Sequence, residues 1–279
     1  MAKVWLCIAF LLVPVRAGAA GFANAGYARY PYFSKVRIYT ELPPNHSGRW
    51  SADFLRRIPP LVHDIYGRYP ELPRWFQFPE IAGIPEVARI PDLKLPRELD
   101  LTEPVGDEGL VNLRKVLDMI GKEVDEHEVL PVVFIKSGMV GYMYSGFAMI
   151  GRAGPYSGFL GNKRPYSGFA VDMELIEEIE RKTGTKLPKV PFALISADSS
   201  HFYDSAMARA VTLAHEMGHL MGLNHTGAYG NLMNLENRYE KDVREDASVP
   251  VPGLIEPQIQ HIQNWLGYHQ LHPAQKPRR

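Results

Sequence analysis

The sequence predicts an α+β fold, and three observations carry that expectation. Residues 33–41 alternate apolar and polar side chains with the two-residue period of a strand, and residues 131–137 and 190–197 are short, almost continuously apolar runs of strand length. Residues 107–127, 172–183 and 203–221 carry apolar residues at helical spacing. Finally, 279 residues with 46% hydrophobic content are ample for one or two packed cores.

Taken in order, residues 1–20 read as an export signal. Lys3 supplies a positive start, residues 4–15 form an apolar run, and Ala17, Gly18, Ala19 and Ala20 offer a small-residue cleavage site after Ala19 or Ala20. The run is too short for a stable membrane anchor, and no second stretch resembles a span. Its removal takes Lys3 and Arg16 and leaves 29 basic against 31 acidic residues, a net charge of −2 that argues against a nucleic-acid partner. The single cysteine, Cys7, lies inside the signal, so the exported chain has no disulfide and no thiolate available to block a metal. A cysteine-free exported chain fits a periplasmic or extracellular bacterial location.

Residues 21–106 form a Pro-rich N-terminal segment, either a removable pro-segment or a subdomain. Within it, residues 51–66 have helical spacing that Pro59 and Pro60 must break or kink. Residues 69–104 are dense in proline yet contain Trp75, Phe76, Phe78, Ile81 and Ile84, which need burial, so they read as packed and irregular, distinct from a linker. The helix at 107–127 has an apolar stripe of Leu110, Leu113, Val116, Leu117, Ile120 and Val124, with Asp107 placed to cap it. Between 138 and 171 the tetrapeptide Tyr-Ser-Gly-Phe occurs three times, at 144–147, 156–159 and 166–169. A Gly-rich hairpin with buried rings is the simpler reading of this repeat, and a substrate-contacting rim the other. The helix at 172–183 should close at Gly184, and residues 269–279 make a polar tail.

The most informative stretch is 215–225, His-Glu-Met-Gly-His-Leu-Met-Gly-Leu-Asn-His. On a helix, His215 and His219 are one turn apart on one face and can grip one ion, while Glu216 projects beside them. Gly222 tolerates the left-handed conformation that ends a helix, after which the reversed chain can return His225 as third ligand. Three neutral imidazoles suit zinc and leave a fourth position open, the mark of a catalytic site. From the chain's 10 His and 24 Gly, this constellation arises by chance on the order of 10⁻⁴ times per chain of this length.

This stretch matches the H-E-x-x-H-x-x-G-x-x-H signature of the metzincin zinc endopeptidases. Met233, eight residues beyond His225, falls where that family places its Met-turn, and Leu254, Ile259, Ile262, Gln263, Trp265, Leu266 and Gly267 resemble the closing helix of the matrixin branch. The resemblance spans roughly 107–268, its specific part being 205–234. It implies a twisted mixed sheet, a long active-site helix, a Met-turn and a C-terminal helix. It further implies one catalytic zinc on His215, His219 and His225, with Glu216 as general base for a zinc-activated water, Met233 as structural support, and a protein or peptide as substrate. Leu235 stands where astacin- and serralysin-like enzymes carry a tyrosine, so oxyanion stabilisation is expected mainly from zinc and backbone groups of the cleft-edge strand, with Tyr229 or Tyr239 the tyrosines that could approach the site. Residues 138–171 contain none of the histidines that a matrixin structural zinc requires, so one zinc per chain is expected. Asp198 and Asp204 are candidates for calcium, although lone aspartates more commonly cap helices or remain solvated. The competing reading is a zinc-containing binding or adhesion module with little or no peptidase activity.

Overall fold

In the computed structural model, the described residues are 26–41, 51–72, 87–89, 94–100, 107–123, 129–141, 164–196, 205–234 and 251–272. The signal, the aromatic residues from Trp75 to Ile84, the first two Tyr-Ser-Gly-Phe copies, Asp198, Asp204, Leu235, Tyr239 and the end of the C-terminal tail lie outside them. The elements are β1 (Lys35–Thr40), α1 (Ala52–Arg56), α2 (Ile58–Tyr66), β2 (Val87–Arg89), β3 (Glu98–Asp100), α3 (Asp107–Glu123), β4 (Val129–Ile135), β5 (Gly138–Gly141), β6 (Arg164–Tyr166), β7 (Gly168–Val171), α4 (Met173–Thr183), β8 (Phe192–Ser196), α5 (Ala206–Leu220) and α6 (Glu256–Leu271).

A five-stranded mixed sheet runs in the order β2-β1-β4-β8-β7. Its first four strands are parallel, and β7 closes one edge antiparallel to β8. Parallel strands covered on both faces must be apolar throughout, which explains why every residue of β8 is buried. Alternate side chains serve two cores. Val36, Ile38, Leu130, Val132, Phe134, Ala193 and Ile195 meet α2, α5 and α6 on one face. Tyr39, Val133, Ile135, Phe192 and Leu194 meet α3 and α4 on the other. Among the described residues, a smaller sheet in the order β3-β5-β6 accounts for the remaining strands.

Local chemistry sets the boundaries that matter for the site. Ser51 caps α1 by accepting from Phe54 N at 3.2 Å. Pro59 and Pro60 fall in the first turn of α2, where a missing N–H leaves no helical bond unmade, so the helical stretch divides at Arg57 as its prolines require. Asp107 is itself the first residue of α3. Asp172 caps α4 through Leu175 N at 2.8 Å, and Gly184 ends it at φ 65°. Ser205 caps α5 through Ala208 N at 3.0 Å.

The N-terminal residues are part of this framework. β1 lies inside the sheet between β2 and β4, and Tyr66 at the end of α2 donates its hydroxyl to Ala214 O, one residue before His215, at 2.7 Å. Burial pushes the Tyr66 hydroxyl pKa far up, which keeps it a donor. Tyr69 accepts from Leu254 N, and Gln263 of α6 donates to Glu71 O at 2.8 Å.

Candidate metal centre

Helix α5 carries His215, Glu216 and His219, with its other faces buried in the core. It ends in a Schellman motif. Leu223 N donates to Gly218 O at 2.8 Å and Gly222 N to His219 O at 2.9 Å, with Gly222 at φ 92°. A Cβ there would lie 2.5 Å from the Tyr30 ring, so both the left-handed backbone and the close approach call for glycine. The reversal delivers His225 to the same point as the two helical histidines.

The three Nε2 atoms form a nearly equilateral triangle. His215 and His225 are 3.1 Å apart, His215 and His219 3.1 Å, and His219 and His225 2.9 Å. His215 Nδ1 lies 2.7 Å from Leu232 O and His219 Nδ1 lies 2.9 Å from Leu223 O. A carbonyl can only accept, so these contacts place the proton on Nδ1 and the lone pair on Nε2 in both rings. Two lone pairs facing each other at 3.1 Å repel, and a single proton on His225 cannot separate all three atoms. A cation at the centre removes the conflict, and neutral imidazole nitrogens are donors suited to zinc.

Protonation is disfavoured at all three. Burial holds His215 below its ordinary pKa, and burial together with the neighbouring His215 and His225 holds His219 well below. Burial and His215 bring His225 down to about 3. The ligand set is therefore neutral at physiological pH and available to a metal. His215, His219 and His225 form one three-ligand group able to hold one zinc ion; among the described residues it is the only such group of histidine, cysteine or acidic side chains.

Glu216 is buried beside the triad on the side facing β7. A Cβ on Gly168 would lie 2.7 Å from Glu216 Oε1 and 2.6 Å from Thr212 Cγ2, so α5 approaches β7 here only because residue 168 is glycine. Ser167 accepts from Thr212 Oγ1 at 3.3 Å, and its carbonyl accepts from Ser196 N at 2.9 Å. The third Tyr-Ser-Gly-Phe copy thus supplies the seat of Glu216. Gly218, on another face of α5, is in the same position toward Met233, whose Sδ would be 2.5 Å from a Cβ. Met233 is fully buried, and its carbonyl accepts from Thr226 N at 2.7 Å, tying the segment after His225 to residues 231–234. Tyr229 is exposed on the intervening loop.

The sequence singled out the three histidines, Glu216 and Met233, and the structure brings the histidines together. It did not single out the glycines at 168 and 218, the carbonyls of Leu223 and Leu232, or the pair Asn231 and Gln258. The repeated Ser-Gly was the only available signal for Gly168.

No protein-family model matches the chain, and no curated protein matches it. Solved structures similar to it include an archaemetzincin from Methanopyrus kandleri, at 13% identity and a TM-score of 0.42, covering 85% of this chain and 96% of that one. They also include a zinc-dependent peptidase from Methanocorpusculum labreanum, at 14% identity and a TM-score of 0.41, covering 81% of this chain and 99% of that one.

Proposed function

We propose that this chain is an exported zinc-dependent endopeptidase of the metzincin type, nearest in its spacing to the matrixin-like branch. The observation that carries the reading is the convergence of three Nε2 lone pairs within 3.1 Å of one another, with a buried glutamate on the adjoining helical position. The chemistry supplied by a zinc ion held there is Lewis acidity, which makes water nucleophilic near neutral pH and polarises an amide carbonyl.

The chain's own groups do the remainder. Glu216 accepts the proton of the attacking water on a carboxylate oxygen and returns it to the departing amine nitrogen. Gly168 lets that carboxylate stand against β7. The outer edge of β7 pairs with no strand among the described residues, so an extended peptide can lie along it as an added strand and be held through its backbone. Met233 acts as the Met-turn methionine, packed beneath the helix through Gly218. Export rests on Lys3, the apolar run at 4–15 and the small residues at 17–20. Among the described residues no helix is long and apolar enough to cross a membrane.

The test compares the exported protein with Glu216→Gln for zinc content and for cleavage of an unfolded protein, with products mapped by mass spectrometry. Internal cuts by the wild type, full zinc loading of both proteins and loss of cleavage in the variant are expected. Undiminished cleavage by Glu216→Gln would overturn the role given to that residue.

A further inference from the structure

Helix α6 begins on the far side of the turn that supports His215, and one buried side chain joins the two. Gln258, in the first turn of α6, donates through Nε2 to Asn231 Oδ1 at 3.2 Å and accepts on Oε1 from Asn231 Nδ2 at 2.9 Å. Both amides are oriented by backbone donors. Asn231 Oδ1 also accepts from Met233 N at 2.8 Å, and Gln258 Oε1 also accepts from Ile255 N at 3.0 Å. Each oxygen is thereby fixed, and each NH₂ is left to face the partner's oxygen. Both residues are buried, so loss of either side chain leaves the other's NH₂ buried without this acceptor.

From Asn231 the path to the metal centre is short. Asn231 O accepts from Asn234 N at 3.1 Å, closing the tight turn 231–234. Leu232, inside that turn, donates N–H to Gly253 O at 2.7 Å and offers its carbonyl to His215 Nδ1 at 2.7 Å. The carbonyl that sets the tautomer and ring plane of His215 is therefore positioned by a turn whose own side-chain brace reaches α6.

We propose that Gln258 is a positioning residue for the metal centre: through Asn231 and the Leu232 carbonyl it holds His215 in its ligating orientation, so that α6 sets the affinity of the site for its ion. The inference rests on the zinc-site reading above. Groups that orient a metal-binding histidine typically change metal affinity by about 10–100-fold when removed. Gln258 acts through one further residue, which puts the expected loss near the lower figure.

The experiment measures the zinc dissociation constant by competition with a chromophoric chelator, and the visible spectrum of the cobalt-substituted protein, for wild type, Gln258→Met and Gln260→Met. Gln260 is exposed on the same helix and donates to Asn264 Oδ1 at 3.2 Å, away from the turn, which makes it the control. Gln258→Met should weaken zinc about tenfold and alter the cobalt spectrum at a temperature well below its unfolding, with Gln260→Met unchanged. If Gln258→Met does not fold, Gln258→Glu replaces it. That variant keeps both acceptor contacts but turns a carboxylate oxygen, in place of the NH₂, toward Asn231 Oδ1, and it should lower the affinity in the same direction. A folded variant with wild-type affinity and spectrum would overturn the inference. Failure of the wild type to bind zinc would instead overturn the zinc-site reading on which it stands.

Discussion

Glu216 of α5 occupies the space that a side chain on Gly168 of β7 would fill. A methyl group there would sit 2.7 Å from the carboxylate and 2.6 Å from the Thr212 methyl, both closer than side-chain atoms pack. Gly168→Ala should therefore displace Glu216 without touching the histidines. The expected outcome is a fall in kcat/KM of roughly 10- to 100-fold with zinc stoichiometry retained, since small misplacements of a catalytic group have effects of that size. Peptide-cleavage kinetics and metal analysis on one preparation check it, and normal kinetics would remove Gly168 from the account.

Metal removal makes a second prediction. The lone pairs of His215 and His219 face each other at 3.1 Å, a repulsion that the empty site retains and a bound cation relieves. Chelation should lower the unfolding temperature, and zinc at 100 times its dissociation constant should restore about 2.7 kcal/mol. Calorimetry with and without chelator reads this. His219→Ala should abolish the zinc-dependent part of the stability.

The pH dependence of the chelated protein follows from burial. His215, His219, His225, His261 and His269 are all held below their ordinary pKa chiefly by desolvation, His225 at about 3. Their folded-state pKa values are depressed, so the unfolded chain binds more protons below its histidine pKa of about 6.5. Stability is then complete above that pH and is lost as pH falls toward the folded values. Asp172 works in the opposite sense, because burial raises its pKa and its contribution is lost as pH rises through the carboxylate range. Five histidines against one aspartate give acid destabilisation. The urea midpoint of the chelated protein should fall between pH 7 and pH 5, and a flat profile would contradict the buried, neutral state of the histidines.

The metal ligands were legible in the sequence because they are local: a helical period places His215 over His219, and Gly222 reverses the chain within three residues of His225. The strands at 35–40, 129–135 and 192–196 were legible for a similar reason, each being long enough to show a period or a continuous apolar run. β2 and β3, of three residues each, carry no period, and they sit in a stretch where proline punctuation reads as irregular chain. What surrounds the ligands was hidden because it is long-range. Gly168 reaches Glu216 across the edge of the sheet, and Gln258 reaches Asn231 from another helix. Tyr66 braces α5 from a segment whose sequence suggested no link to it. No spacing rule connects residues that only the fold brings together.

That brace leads to the last prediction. Sequence alone left open whether residues 21–106 are discarded on activation. β1 is hydrogen-bonded on both sides within the sheet, and its buried Ile38 pairs with Val132 of β4 in the core that carries α5. Leu55, Ile58, Val62, Ile65 and Tyr66 fill the same core, and each such side chain contributes on the order of 1.5–3 kcal/mol when buried. Their summed loss is of the same size as the 5–15 kcal/mol by which a whole domain is typically stable. The Tyr66 bond to Ala214 and the Tyr69 bond to Leu254 would go with them, releasing both the helix that carries His215 and the segment at Gly253–Leu254 that supports the turn under it. A chain beginning at residue 73 should therefore be unfolded and bind no zinc at stoichiometric level, whereas Tyr66→Phe, which removes a single buried hydroxyl, should fold with a loss of about 1–2 kcal/mol. Circular dichroism and zinc titration of the two proteins, together with N-terminal sequencing of the active form, check this. An active species starting beyond residue 72 would show that the sheet can be completed without β1.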